Sequence, residues 1–319
     1  MSTRRQFLRT TSATLAASAL GAGAARAAAG ATSETLVAQL YSSLDETQRG
    51  AICLPFDHEL RQKVDNNWHI TKQKLGSGFF TPDQQELTKE IFLKLHSDEY
   101  ADTVFKQVEH DSGQAGFGDS SIALFGEPGS GKFEFVLTGR HCTRRCDGDS
   151  VEGMAFGGPI FYGHAAEGFN EKPDHPGNAY WYQAKRANAV FAMLDGKQRD
   201  LALIDGEGRN ERRTETVALS GKSDGLPGIS AAELSADQKE EFLKVLADLL
   251  APYRQSDAAE AMRLMEASGI DNLHLAFFKQ QDVGNDGVWD VWQVEGPHAF
   301  WYFRGDPHVH AWAHVKAPA

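Results

Sequence analysis

His308-Val309-His310-Ala311-Trp312-Ala313-His314-Val315, near the end of the chain, alternates residue by residue between two kinds of side chain. Successive side chains of a β-strand point to opposite faces of a sheet, so this alternation predicts a strand with one apolar face. That face, made of valines and alanines, is expected to pack on a core. The other face carries three histidines and a tryptophan.

His308 and His310 stand on the same face of this predicted strand, with roughly 6.5–7 Å between their Cα atoms. Imidazole nitrogens at that spacing can converge on one metal ion, which they would bind at about 2 Å. A chain with 12 histidines also produces such a pair by chance on a solvated strand face. The stretch alone therefore leaves a metal site and a solvated pair both open.

The rest of the chain divides into helical and strand blocks. Helical spacing, with Thr81 as a cap and Pro82 at the first position of one helix, alternates with apolar runs bounded by turn residues. The predicted helices are 34–43, 81–95, 98–109, 179–193, 235–251 and 257–267, and the predicted strands are 121–125, 133–138, 158–162, 272–278, 288–294, 299–303 and 308–315. This order predicts an α+β fold with helices packed on an antiparallel sheet.

The order of these blocks repeats within the chain. Residues 44–49 (LDETQR) resemble residues 194–199 (LDGKQR), and Gly139-Arg140-His141 is echoed by Gly296-Pro297-His298. These matches predict an internal duplication, with a first α+β half at 28–178 and a second at 179–319, together forming one compact domain. We expect a site between the two pseudo-symmetric halves, because clefts form there.

The first 27 residues have the pattern of an export signal. Thr3-Arg4-Arg5-Gln6-Phe7-Leu8-Arg9 fits the twin-arginine motif, an uncharged Ala-rich stretch follows, and Ala25-Arg26-Ala27 fits a cleavage site. Twin-arginine substrates cross the membrane folded, often with a cofactor already inserted. The sequence therefore predicts the twin-arginine (Tat) export machinery as a partner and a periplasmic or secreted protein that begins near Ala28. A chance Arg-Arg pair is the alternative.

Charge and hydropathy argue against two kinds of partner. The predicted signal contains four arginines and no acidic residue, so its removal changes the formal charge from −12 to −16. Such an acidic surface repels phosphate backbones, which argues against nucleic acid. No apolar run reaches the length of a membrane span. The remaining chain is long enough for one large domain with a sizeable core.

Three cysteines, Cys53, Cys142 and Cys146, are too few for a disulfide scaffold. The last two flank a pair of arginines and are followed by Asp147-Gly148-Asp149, which favours a loop. A loop can bring them within bridging distance, whereas a strand would hold them roughly 13 Å apart. A disulfide, metal ligation by thiolate, and free thiols all stay open.

Two stretches match catalytic motifs without the structural context that the motifs require. Residues 126–133 (GEPGSGKF) resemble a P-loop, but Phe133 replaces the magnesium-binding hydroxyl and a strand follows where a helix is needed. Residues 221–225 (GKSDG) match a nucleophile elbow at Ser223, but no helix follows at once. We expect a hairpin and a loop, with a serine hydrolase as a minor alternative.

Short motifs spread along the chain occur in a characteristic order. They are Pro55-Phe56-Asp57, Asn67-Trp68-His69, Phe125-Gly126-Glu127-Pro128, Gly139-x-His141, Phe161-Tyr162-Gly163 and His308-x-His310-x-Trp312. In this set the chain resembles the secreted domain-of-unknown-function 3500 (DUF3500) family over nearly all of its mature length. The resemblance implies an exported α+β protein with recurrent polar residues at His69, Glu109, His141, His308 and His310, and it implies no particular reaction.

The chain departs from the usual pattern of this family at three places. Arg140 stands where many members have a second histidine, a Cys142–Cys146 insert replaces a continuing strand, and His298 stands where arginine is commoner. We therefore do not assign His298 as a ligand. We predict Arg140 as a catalytic residue that tunes the site, with the cysteine pair as the alternative.

Together these observations predict a metal centre with His141, His308 and His310 as ligands and His69 as the fourth candidate. Three histidines leave an open coordination position, which is typical of catalytic sites. A zinc, copper or iron ion would support hydrolytic or redox chemistry, and Glu109 would act as a general base or orient a ligand ring. The prediction is a metal-dependent enzyme for a small-molecule substrate. The alternative is a non-catalytic module that binds a metal or a small ligand.

Overall fold

The computed structural model describes residues 31–164, 179–211, 214–279 and 288–318, and the predicted export signal lies outside them. The helices in this part of the chain are α1 Ser33–Ser43, α2 Glu46–Ile52, α3 Pro82–Lys94, α4 Ala101–Asp111, α5 Trp181–Met193, α6 Gly196–Ala202, α7 Ala236–Leu250 and α8 Gln255–Ser268. The strands are β1 Cys53–Leu54, β2 Ser121–Gly126, β3 Phe133–Gly139, β4 Cys142–Cys146, β5 Ile160–His164, β6 Leu203–Ile204, β7 Ile229–Ser230, β8 His274–Phe278, β9 Val291–Glu295, β10 Ala299–Arg304 and β11 Val309–Val315. The predicted α+β class is confirmed. None of the described helices is both long enough and apolar enough to cross a membrane.

One mostly antiparallel sheet joins the strands in the order β1-β2-β3-β4-β5-β11-β10-β9-β8-β6, with β7 paired to β8. The last strand of the chain, β11, lies at the centre of this sheet between β5 and β10. Its residue His310 stands opposite Gly163 of β5 and opposite Arg304 of β10. The C-terminal stretch is therefore surrounded by strands from both halves of the chain.

The alternating stretch forms a strand from Val309 onward, and both of its faces are buried. His308 and His310 are each 5 % exposed, so the alternative of a solvated histidine pair is wrong. The reason lies in what covers the histidine face. Phe161 of β5 packs there against Trp312, with ring centroids 4.5 Å apart, and Val217, at the end of the 3₁₀ helix Thr214–Val217, belongs to the same apolar cluster.

Helices and the residues beside them cover the opposite face of the sheet. Tyr162 of β5 packs on Tyr180, which precedes α5, with ring centroids 4.6 Å apart. Trp301 of β10 donates its indole N–H to the Tyr162 hydroxyl oxygen at 2.8 Å. The residues beside α5 therefore lie on one face of the sheet, and the 3₁₀ helix that contains Val217 lies on the histidine face.

The order of elements is the same on both sides of the β5–β11 pair. On each side two helices lead into a two-residue strand that pairs in parallel, two more helices follow, and four antiparallel strands complete the set, apart from the short β7. Asp45 and Asp195 even form the same capping box with a glutamine three residues on. The division at 28–178 and 179–319, and a duplication as its origin, stay predictions.

The loop expected at Cys142–Cys146 is wrong, because this segment is β4, paired with β3 and β5. Its two arginines are buried because each has partners inside the protein. The Arg145 guanidinium lies 2.6 Å from the Glu134 carboxylate. Arg144 donates to His96 Nε2 at 3.0 Å and to a backbone carbonyl of β5 at 2.7 Å. Both cysteines are buried free thiols.

Buried His96, next to Arg144, makes the stability of the fold depend on pH. Burial, followed by the charge of Arg144, lowers the pKa of His96 from 6.5 to about 3. The unfolded chain binds a proton at this residue near pH 6.5 and the folded protein does not. Its contribution to stability is therefore full above pH 6.5 and is lost as the pH falls toward 3.

We expect His96 alone to lower the free energy of unfolding by about 2 kcal/mol between pH 6.5 and pH 5. Urea unfolding of the wild type and of His96→Gln at a series of pH values measures this difference. The glutamine side chain keeps an acceptor for Arg144 but binds no proton. Parallel pH curves for the two proteins would contradict the prediction.

Candidate metal centre

Three histidines from two distant parts of the chain lie close together. His141 comes from the turn between β3 and β4, His308 directly precedes β11, and His310 lies within β11. The Nε2 atom of His308 lies 3.1 Å from Nε2 of His141 and 3.0 Å from Nε2 of His310. All three side chains are buried. The structure thus brings together three of the four predicted ligands.

His141 reaches this point from a strained turn. Gly139 pairs with Cys142, so that Arg140 and His141 form a two-residue connection between β3 and β4. The φ angle of His141 is +53°, a left-handed conformation that costs a non-glycine residue about 1–3 kcal/mol. Its backbone N–H donates to the carbonyl of Asn66 at 3.1 Å. Such strain clusters at functional sites, and here it directs an imidazole toward two others.

Two carboxylates determine which ring nitrogens face the centre. His141 donates from Nδ1 to Asp111 Oδ2 at 2.7 Å, and His310 donates from Nδ1 to Glu211 Oε2 at 2.6 Å. An ionised carboxylate only accepts, so each ring carries its hydrogen on Nδ1 and turns an Nε2 lone pair inward. Arg304, opposite His310 across the strand pair, holds Glu211 at 2.7 Å. Carboxylates placed in this way accompany metal-binding histidines in proteins.

Hydrogen bonds alone do not satisfy this arrangement. His308 Nε2 faces two inward lone pairs, yet a neutral ring has at most one hydrogen on that nitrogen. At most one of the two contacts can then be a linear hydrogen bond, whereas a cation at the centre would bind the lone pairs of all three rings. Nitrogens bound at 2.0–2.1 Å to a tetrahedral ion stand roughly 3.3 Å apart, close to the 3.0 and 3.1 Å between these atoms. The donor set and its geometry fit a three-histidine metal site.

The surroundings keep two of these rings in the neutral form. Desolvation, followed by the charges of His310 and His141, lowers the pKa of His308 from 6.5 to about 2. Desolvation, followed by the charge of Arg304, lowers the pKa of His310 well below 6.5. Neutral imidazole is the form that binds a metal ion, so protons compete weakly for these nitrogens.

The other predicted site residues are His69, Glu109 and Arg140. His69 is not part of it, since its Nε2 hydrogen bonds to the backbone carbonyl of Asp119 at 2.8 Å. Glu109 lies on the exposed face of α4. Arg140 directly precedes His141, and its charge contributes to lowering the pKa of His310. The roles predicted for these three residues stay predictions.

Two carboxylates of the site were not predicted. Asp111 had a usable signal in the sequence, because the buried residues of α4 are Val104, Gln107, Val108 and Asp111. This i, i+3, i+4, i+7 spacing puts Asp111 on the inner face and Glu109 on the outer face. Glu211 lies in an irregular segment, where no periodicity indicates which side chain turns inward.

The remaining motifs form no second site among the described residues. Ser223 is exposed, and His274 Nε2 contacts its backbone carbonyl oxygen at 3.4 Å rather than its hydroxyl. Residues 127–132 connect the antiparallel strands β2 and β3 as a hairpin. His141, His308 and His310 are the one group of metal-binding side chain types close enough to share an ion in this part of the chain. Neither Cys142 nor Cys146 belongs to it.

Fold and site together define an α+β protein with a buried three-histidine group that could hold a metal ion. A family model described as "Protein of unknown function (DUF3500)" matches residues 27–316, nearly the whole chain. The chain belongs to this family, as its collinear motifs predicted. No curated protein and no solved structure matches it.

Proposed function

We propose that this protein is an exported metal-dependent enzyme whose transition metal ion is bound by His141, His308 and His310. The observation that carries the proposal is the convergence of three Nε2 atoms at 3.0 and 3.1 Å. For two of these rings a carboxylate holds the hydrogen on the far nitrogen. With neutral rings, one N–H of His308 can form a linear hydrogen bond to only one of the other two histidines, whereas one ion could bind all three.

Three protein ligands favour a catalytic site over a closed structural site. A tetrahedral ion with three histidines retains one position for water or substrate, and such an ion lowers the pKa of bound water to about 7 or, as copper or iron, supports redox chemistry. A non-catalytic binding module would tend to supply a fourth ligand. The predicted fourth ligand, His69, is instead occupied with Asp119.

Export completes the proposal. The twin-arginine pattern at Arg4 and Arg5 supports translocation of a folded protein, and a site built from residues 141 and 308–310 exists only after folding. We therefore propose that the metal ion is inserted before export and that the enzyme acts on a small molecule outside the cytoplasm.

Elemental analysis tests the metal site. We expect the purified wild type to carry one zinc, copper or iron ion per chain and the His308→Ala/His310→Ala double variant to carry none. His69→Ala is the matched control and is expected to retain the metal. Adding metal to the apo wild type at about 1,000 times its dissociation constant should stabilise the fold by about 4 kcal/mol. A wild type without stoichiometric metal, whose melting responds to added metal no more than that of the double variant, would overturn the proposal.

A further inference from the structure

The charges around the three histidines are unevenly distributed once an ion is present. Asp111 and Glu211 contribute two negative charges, and Arg304 and Arg140 contribute two positive charges that offset them. An imidazole that binds a metal ion is neutral. A divalent ion at their centre would therefore add a charge of +2 that these side chains do not neutralise, and such a site attracts anions.

Arg140 differs from three other arginines near the centre of the sheet. Arg61 and Arg145 share the Glu134 carboxylate, and Arg304 pairs with Glu211. Arg140 forms no ion pair with any residue that the structure describes, and its buried Nε atom has no hydrogen-bond partner among them. A buried donor of a charged group without an acceptor is costly, and an oxygen of a ligand would supply that acceptor.

Arg140 is directly adjacent in the chain to a proposed metal ligand, and its charge acts on His310. It is the other residue of the two-residue connection that carries His141. Its backbone forms a bridge with Asn67, and Asn66 accepts the hydrogen bond from the backbone of His141. The same short segment therefore holds the backbone of both residues of the turn.

We propose that the substrate is a small oxyanion, with its carboxylate or phosphate group bound by Arg140 beside the metal ion. This inference rests on the proposed function and names the substrate class of the same site. The planar guanidinium fork matches two oxygens of a carboxylate or phosphate group. The uncompensated charge of the ion and the buried Nε donor then act on the same anionic group.

A binding experiment on Co²⁺-loaded protein tests this inference. The probes are acetate, inorganic phosphate and the neutral acetamide, added to the wild type, Arg140→Gln and Arg140→Lys, with Arg263→Gln as the control because Arg263 is exposed on α8. Visible absorption of the Co²⁺ ion and titration calorimetry report binding. We expect Arg140→Gln to weaken binding of an oxyanion about ten- to hundredfold, Arg140→Lys to weaken it less, and Arg263→Gln to leave it unchanged.

Metal content measured on the same samples distinguishes the two ways of failing. If all proteins load Co²⁺ but Arg140→Gln binds both oxyanions as tightly as the wild type, this inference is wrong and the metal site stands. The inference is equally wrong if the loaded wild type binds acetamide as tightly as either oxyanion. If the wild type does not load metal, the proposed function fails and this inference fails with it.

Discussion

Asp111→Asn is expected to weaken metal binding about ten- to hundredfold, although Asp111 is not itself a ligand in the proposed site. The substitution keeps the shape of the side chain and an oxygen that accepts from His141. In the wild type, Nδ1 of His141 lies 2.7 Å from the carboxylate of Asp111. The substitution removes the negative charge that makes the imidazole more basic and holds its hydrogen on Nδ1. The amide can also rotate and offer its NH₂ group, which would favour the wrong tautomer.

A competition titration with a chromophoric chelator at constant pH measures this effect. Glu211→Gln is expected to weaken binding similarly, because Glu211 holds His310 as Asp111 holds His141. Glu109→Gln is the matched control, since it removes the same charge from the exposed face of the same helix. Equal affinities for Asp111→Asn and Glu109→Gln would show that the carboxylate does not orient a ligand.

Glu134→Gln is expected to lower the free energy of unfolding by about 3–5 kcal/mol. The Glu134 side chain is fully buried and accepts from Arg145 at 2.6 Å and from Arg61 at 2.8 Å. The amide removes the only carboxylate charge that these two guanidinium groups share in the described part of the chain. Arg145 is itself fully buried at its side chain, so its charge would be left inside the protein without a counter-charge.

Urea unfolding of the apoprotein at pH 7.5 measures the loss. Glu240→Gln is the control, because Glu240 forms an exposed pair with Lys244 at 3.4 Å, and pairs of this kind contribute about 0–1 kcal/mol. The Glu134 substitution should also affect the metal centre. Arg145 also donates to the backbone carbonyl of Lys63, three residues before the Asn66 that supports His141, so the Glu134 variant should also weaken metal binding. A stability of Glu134→Gln within 1 kcal/mol of that of Glu240→Gln would contradict the prediction.

Local patterns predicted most of the regular structure, because they depend on neighbours in the chain. Thr81 and Pro82 indicated the start of α3, and the structure has Thr81 as the cap there, within a capping box. The alternation at 308–315 indicated β11. The segment Cys142–Cys146 misled the prediction, since its arginines are polar in isolation. They lie in a strand because Glu134 and His96, distant in sequence, supply the partners that make burial possible.

Residue type and spacing also indicated which histidines carry the candidate site, but not how they are arranged. The pair His308 and His310 was evident from a strand with a two-residue period, and the family resemblance added His141. The inward position of Asp111 could be predicted from the helical period of α4. The inward position of Glu211 could not be predicted, because a side chain in an irregular segment is placed by tertiary contacts alone.

By itself, the sequence determined the fold class, the repeated order of helical and strand blocks, and the histidines most suited to a metal ion. Periodicity and motif order are local properties of the chain. Only the tertiary structure decided that the histidine face of β11 is buried, that His141 arrives through a strained turn, and that Asp111 and Glu211 turn the Nε2 lone pairs inward. The physical reason is that burial and ring orientation depend on groups that meet only after folding. The spacing of His308 and His310 allowed a metal ion, whereas the convergence of three inward nitrogens favours one.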